Sequence, residues 1–298
     1  MMNRRGCRSL SDSRCANLQV TITQALQDAR RHIDGMEARL LLQYVLKVNT
    51  VFLAAYSNYV LSPEQVDSFQ SLITRRIAGE PVAYLVGERE FYDLTFKVTP
   101  AVLIPRPETE LLVELALSRI PVNQACHILD LGTGSGAIAL TIAKHRPLAQ
   151  VTAVDLSCDA LSVAQLNAEK LDVDNVQLLA GNWFAGLDQE RFDLIVSNPP
   201  YVAEGDPHLD QGDLRFEPRL ALTAVDEGIA CIRQIIANAP DFLAAGGELL
   251  LEHGYDQAVI CRQFLAESNF INIFSCPDLA GIPRVSGGQQ YDRTLATS

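Results

Sequence analysis

The stretch His127-Ile-Leu-Asp-Leu-Gly-Thr-Gly-Ser-Gly136, running directly into Ala137-Ile-Ala-Leu-Thr-Ile-Ala-Lys144, decides the fold. An apolar run ends at Leu131, glycines then occupy every second position, and an apolar helix-forming segment starts at once. That order is a buried strand, a tight turn and a helix, the opening unit of an α/β sheet. Working outward, residues 151–154, 176–179, 192–196 and 248–251 read as further strands, and 159–169 as a second helix. Buried apolar strands alternating with helices predict a mostly parallel sheet covered on both faces. The runs 270–274 and 290–295 are expected to add an antiparallel C-terminal edge.

A chain of 298 residues with 48% apolar content is long enough for one such core plus a smaller domain. Thirty-six acidic residues against 24 basic ones, a formal charge of −12, disfavour a broad phosphate-binding face while leaving room for a local basic cleft. A protein substrate fits this balance better than duplex DNA. The seven cysteines show no Cys-x-x-Cys spacing and read as reduced, which predicts a cytoplasmic protein. The start of the chain carries Arg4, Arg5, Arg8 and Arg14 against Asp12 but no apolar core of a secretory signal. Residues 1–18 are therefore expected to be a disordered extension or an over-long start, with a targeting segment as the alternative. No apolar run reaches the length needed to span a bilayer.

Residues 19–88 read as a small helical domain. Ser62-Pro63-Glu64-Gln65 supplies an N-cap, a proline at the first helical position and a Gln at N3, with Val66, Phe69, Ile73 and Ile77 marking a face. A further helix over 36–47 places Met36, Leu40, Leu41 and Val45 at helical spacing. The bundle has no cluster of His, Asp or Glu on an apolar face, so it is assigned to substrate docking or structure rather than chemistry. Residues 89–104, with a turn at Tyr92-Asp93, are expected to form a hairpin linker to a catalytic domain over 105–298. In Ile104-Pro-Arg-Pro-Glu-Thr-Glu110, Pro107 can open a helix continuing through Leu111, Leu112, Leu115 and Ala116.

The spacing Gly132-x-Gly134-x-Gly136, with Thr133 inside it, differs from the Gly-x-Gly-x-x-Gly that presents helix amides to pyrophosphate, so its ligand need not carry phosphate. Asp130 is placed to meet that ligand through water or backbone, and Asp155, at the next strand end, to accept two ribose hydroxyls. Asn182 and Trp183 follow the third strand, where an amide can read an adenine edge and an indole can cover its face; Trp183 serves equally as core.

Asn198-Pro-Pro-Tyr201 follows the fourth strand, in the crevice where open parallel sheets bind ligands. The Asn198 side-chain oxygen and the Pro199 carbonyl can accept the two hydrogens of an NH2 group and fix its plane, while Pro200 and Tyr201 pack against a flat acceptor. Held this way, a weakly nucleophilic planar nitrogen can be aligned for in-line attack on a sulfonium methyl, with no metal or covalent nucleophile required. The polar segment 203–216 reads as an active-site flap ending at Glu217, which either places substrate or holds the loop. Arg106 either pairs with Glu217, steadies the acceptor loop or makes a simple helix salt bridge. The histidines have no metal-ligand spacing. Gly287-Gly288-Gln289 reads as a turn before the terminal strand.

Together, Ile104-Pro-Arg-Pro-Glu-Thr-Glu110, Asp130-Leu-Gly-Thr-Gly-Ser-Gly136, Gly181-Asn-Trp-Phe184, Asn198-Pro-Pro-Tyr201 and Asp278-Leu-Ala-Gly281 strongly resemble the release factor glutamine methyltransferase family (PrmC/HemK), from about residue 20 to the C-terminus. The resemblance implies a class I, Rossmann-like methyltransferase domain that uses S-adenosylmethionine, releases S-adenosylhomocysteine, and methylates N5 of the glutamine in a release factor Gly-Gly-Gln motif. It also implies that the N-terminal bundle helps dock that protein partner, and it gives no reason to expect stable nucleic-acid binding, a membrane or an oligomer. Carried onto this chain, Asp130, Gly132, Thr133, Gly134, Gly136, Asp155, Asn182 and Trp183 hold the cofactor with Asn198 beside it. Asn198, Pro199, Pro200 and Tyr201 hold the acceptor, with Arg106 and Glu217 near it. Because Asn-Pro-Pro-Tyr also resembles the motif of DNA adenine and other amino-group enzymes, the alternative is methylation of an exocyclic amine in DNA or RNA. Ala224-Val225-Asp226-Glu227-Gly228 and Ile282-Pro283 depart from the family pattern, which bears on local loop conformation.

Overall fold

The computed structural model of the chain describes residues 19–187 and 190–291. The expected basic extension over 1–18 and most of the expected terminal strand over 290–295 lie outside the described residues. The chain divides into two compact units, Met1–Ala78 and Gly79–Ser298, so the segment expected as a linker falls within the second.

In the first unit, α1 (Ile22–Ala29), α2 (Gly35–Leu46), α3 (Thr50–Ala55) and α4 (Pro63–Ile77) follow one another. Thr21 with Gln24, and Ser62 with Gln65, close reciprocal capping boxes, each satisfying two orphan amides of a helix start. Asp34 and Asn49 cap the other two helices. The buried face of α2 is Ala38, Leu41 and Leu42, which corrects the expected stripe: Met36 and Leu40 share the spacing but point outward, as does Tyr44. Arg76 joins α4 to α2 through Glu37 at 2.8 Å.

The second unit begins with α5 (Val82–Val86) and a hairpin of β1 (Glu88–Phe91) and β2 (Leu94–Lys97). A 3-10 turn, Pro107–Thr109, leads into α6 (Glu110–Arg119). Then come β3 (Cys126–Leu131), α7 (Ala137–His145), β4 (Ala149–Asp155), α8 (Cys158–Leu171), β5 (Val176–Ala180) and β6 (Phe192–Ser197). The short β7 (Val202–Ala203), α9 (Arg219–Leu222) and β8 (Thr223–Ala224) precede α10 (Ala230–Asn238), β9 (Leu243–Glu252), α11 (Ala258–Glu267), β10 (Phe270–Pro277) and β11 (Pro283–Gln290).

The main sheet has the order β10-β11-β9-β6-β3-β4-β5, with β11 antiparallel to both its neighbours and the rest parallel. Successive side chains of a strand face opposite ways, and here each way is apolar. Ile128, Val151, Leu194 and Leu250 join the core containing Leu112 of α6 and Leu140 of α7. Leu129, Val154, Ile195 and Leu251 join the core containing Ile235 of α10 and Leu265 of α11. Burying each such side chain is worth roughly 1.5–3 kcal/mol, which is why these strands read as continuous apolar runs.

The C-terminal edge differs from expectation in where it lies. Its second strand is Pro283–Gln290, so Gly287-Gly288-Gln289 is mid-strand and not a turn. Local rules read paired glycines as a turn, but here the packing demands them. A Cβ at Gly287 would sit 2.5 Å from the Leu249 carbonyl oxygen and 2.8 Å from a Leu250 methyl. Gln289 donates to the Gly246 carbonyl at 2.9 Å, near the end of β9 remote from Glu252.

Candidate functional site

The direction of strand addition reverses between β3 and β6, and Leu131 pairs with Ser197. The loops beginning at Gly132 and Asn198 therefore leave the sheet side by side, at the switch point where such sheets bind ligands. A cavity of about 300 Å³ opens there, lined by Gly132, Gly134, Asp155, Asn182, Trp183, Asn198 and Pro200, with apolar wall from Leu103, Leu156 and Leu220.

On one side, Gly132, Gly134 and Gly136 adopt φ of 74°, 57° and 82°. Gly136 answers to packing, since a Cβ there would come within 2.8 Å of Leu140, whereas nothing lies within 4 Å of one at Gly134. The turn is anchored from β4: the Val154 carbonyl accepts from the amides of Gly132 and Thr133 at 2.8 and 3.0 Å. Asp155 accepts from the Gly134 amide at 2.7 Å and, through its other oxygen, from the Ser157 amide at 2.8 Å. A carboxylate oxygen has room for a second hydrogen bond, so Asp155 keeps accepting capacity toward the cavity it lines.

Asp130 lies beneath the turn, fully buried, and does not line the cavity. It accepts from the Thr133 hydroxyl at 2.7 Å, and its Oδ1 has no partner among the described residues. Burial pushes its pKa up to about 7, against the Thr133 hydroxyl and the Ala139 amide. Trp183, with φ of 53°, lines the cavity and also packs against the Ile235 side of the core, so its two alternative readings coexist. The open space at Gly134, a carboxylate at the next strand end and an indole with an amide beyond them fit a nucleoside bearing an amino acid tail.

On the other side, the Asn198 side-chain amide donates to the Thr109 hydroxyl at 3.0 Å. Its Oδ1 has no hydrogen-bond partner among the described residues. Pro199 is buried and Pro200 lines the cavity. The Tyr201 hydroxyl donates to Glu252 Oε1 at 3.2 Å, while its carbonyl accepts from Gln257 at 3.1 Å. Burial and the Glu252 charge push the Tyr201 pKa upward, so the phenol keeps its proton. Burial also pushes Glu252 up to about 7, against the Thr109 and Tyr201 hydroxyls.

Arg106 and Glu217 find each other at 2.6 Å, and the Glu217 carboxylate is fully shielded. Its second oxygen accepts from the Ile104 amide at 3.4 Å. Burial raises the Glu217 pKa while Arg106 opposes the rise. The pair clasps the segment before Pro107 to the end of 203–216, which contains 3-10 turns at Pro207–Asp210 and Leu214–Phe216. Neither residue lines the cavity; Pro218 does.

Thr109, Gly228, Glu252 and Gln257 escaped sequence reasoning. Glu252 left the clearest trace, an acid closing the apolar run Leu249-Leu250-Leu251 at a parallel strand's carboxyl end. Gly228 was visible only as a departure from the family pattern; a Cβ on it would meet the Tyr201 carbonyl oxygen at 2.3 Å. Among the described residues, no group of three or more His, Cys, Asp or Glu could hold a metal ion, and no helix is long and apolar enough to cross a membrane.

Residues 108–213 match the family described as Methyltransferase small domain, and residues 17–87 match the PrmC N-terminal domain. The chain is 50% identical over 257 residues to a release factor glutamine methyltransferase of Bordetella pertussis, covering 86% of this chain and 95% of that one. It is 46% identical over 268 residues to the release factor glutamine methyltransferase of Escherichia coli (strain K12), covering 90% and 95%. Among solved structures, a methyltransferase from Pyrococcus furiosus superimposes with a TM-score of 0.51 at 18% identity, covering 74% of this chain and 98% of that one, a likeness of fold. The chain belongs to the release factor glutamine methyltransferase family.

Proposed function

We propose that the protein transfers the methyl group of S-adenosylmethionine to the side-chain amide nitrogen (N5) of the glutamine in a release factor Gly-Gly-Gln motif, the sulfur–methyl bond breaking to leave S-adenosylhomocysteine and one amide N–H proton passing to solvent. The observation that carries this reading is the sharing of one cavity by the Gly132–Gly134 turn and Asn198. S-adenosylmethionine supplies an electrophilic methyl on a positively charged sulfonium.

Asp155 accepts the ribose hydroxyls, Asn182 reads the adenine edge and Trp183 covers its face. Asp130, with Thr133, stiffens the turn from below. Asn198 Oδ1 accepts one N–H of the substrate amide and the Pro199 carbonyl the other. An amide nitrogen is a poor nucleophile because its lone pair is delocalised; fixing both hydrogens aligns it and favours pyramidal character as the methyl approaches. Pro200 and Tyr201 close the site against water. Arg106 and Glu217 hold the surrounding segments in register.

The helical residues 19–88 dock the protein partner, residues 89–104 connect, and 105–298 catalyse. The outward Met36, Leu40 and Tyr44, spaced along α2, support docking by offering apolar contact. We assign the chain to the cytoplasm, as a monomer without metal; its charge of −12 supports the further reading that it does not bind nucleic acid stably. The test is incubation with radiolabelled S-adenosylmethionine, release factor and nucleic acid together. Label in the release factor supports the reading, and label confined to nucleic acid refutes it.

A further inference from the structure

We propose that Glu252 is a positioning residue for methyl transfer, holding the Tyr201 hydroxyl and with it the end of the acceptor loop that follows Asn198. The inference rests on the reading of Asn198 and Tyr201 as the acceptor grip.

Glu252 closes β9 and is only 1% exposed. Its Oε1 takes the Tyr201 hydroxyl at 3.2 Å, and Oε2 has no partner among the described residues. Thr109, itself buried, accepts the Asn198 amide at 3.0 Å at the other end of the same loop. The carboxyl thus holds Tyr201 from behind the loop, and neither Glu252 nor Tyr201 lines the cavity.

A buried acid with an idle oxygen is a costly way to brace a loop, and a carboxamide or an apolar residue would fill the space more cheaply. What the acid adds is charge. Ionised, it accepts a charge-assisted bond from the Tyr201 hydroxyl, about twice as strong as a neutral one. Protonated, it holds that hydroxyl loosely. Four groups face it or adjoin it: Glu108 ahead of α6 favours the protonated form, Arg284 of β11 favours the ionised one, the Tyr201 phenol donates to it, and the neighbouring His253 is kept toward its neutral form by burial. With a midpoint at about 7, both forms are populated near neutrality.

The test compares wild type, Glu252→Ala and Glu252→Gln, with full-length release factor as substrate and S-adenosylhomocysteine affinity measured by calorimetry. Glu252→Ala is expected to lower kcat about 30-fold, with KM for the release factor and cofactor affinity each within about threefold of wild type. Glu252→Gln, which keeps an acceptor oxygen, should recover to within about fivefold of wild type. Between about pH 5.5 and 8.5 the wild-type kcat should rise through one inflection that Glu252→Gln lacks. Combined with Tyr201→Phe, Glu252→Ala should cost less than the two changes added together. Wild-type kcat in Glu252→Ala, superposable pH profiles for wild type and Glu252→Gln, or a matching loss of cofactor affinity would each overturn the proposal. A wild type that leaves the release factor unmethylated would instead overturn the functional reading, and this inference with it.

Discussion

Asn198 gives its side-chain amide to the Thr109 hydroxyl at 3.0 Å, and the bond fixes which end of the carboxamide faces the cavity. With the nitrogen engaged, the oxygen is the end available to an incoming N–H. Asn198→Ala should lower turnover about 100-fold or more while cofactor affinity stays within about threefold, since an orienting acceptor acts on the reacting geometry. Thr109→Val keeps the shape but removes the hydroxyl, and should lower kcat about tenfold. Steady-state kinetics with calorimetric cofactor binding separates the two quantities, and equal losses in both would contradict the assignment.

Asp155 has two duties, since its oxygens already hold the amides of Gly134 and Ser157 while it lines the cavity. Asp155→Ala should weaken S-adenosylmethionine binding about 10- to 100-fold, through both the lost ribose acceptor and a loosened turn. Unchanged calorimetric affinity would defeat this account.

Asp130 makes stability depend on pH in a stated direction. Its folded carboxyl keeps its proton up to about 7, whereas the ordinary value is 3.8. Between those values the folded state binds more protons than the unfolded one, so this group's contribution is full at low pH and is lost as pH rises through the window. Asp130→Asn should therefore flatten the fall of denaturant-measured stability between about pH 4 and 7 by a few kcal/mol relative to wild type. An unchanged slope would mean that Asp130 ionises as freely folded as unfolded.

Gly228 supports the acceptor loop by staying small. Asp226, Glu227 and Gly228 all have positive φ, and a side chain at Gly228 would run into the Tyr201 carbonyl. Gly228→Ala should lower kcat at least about tenfold and leave cofactor affinity near wild type, because it displaces the loop that carries Tyr201. Wild-type kcat in a folded variant would show that the loop moves aside without consequence.

The parts of this fold written in short-range signals were legible. The β3 strand, its glycine turn and α7 are contiguous in sequence, as are the Ser62 capping box and the strand that delivers Asn198. What was not legible depends on distant partners. Gly287-Gly288 carries a turn signal locally, yet Leu249 and Leu250 across the sheet require it inside a strand. Met36 and Leu40 share the spacing of a core face, but Ala38, Leu41 and Leu42 are the residues of α2 that are buried. In the candidate site, the residues that meet at the cavity came from the ends of strands, where sequence pattern points. Thr109, Glu252 and Gln257 brace those residues from other elements, and only Glu252, an acid closing an apolar run, carries a local trace of it.

The most direct test of the central claim is peptide mapping by mass spectrometry of a release factor after incubation with the protein and S-adenosylmethionine. The account predicts a single added methyl on the side-chain nitrogen of the glutamine in the Gly-Gly-Gln motif, lost in Asn198→Ala. A methyl at another residue, or an unmodified release factor alongside methylated nucleic acid, would contradict it.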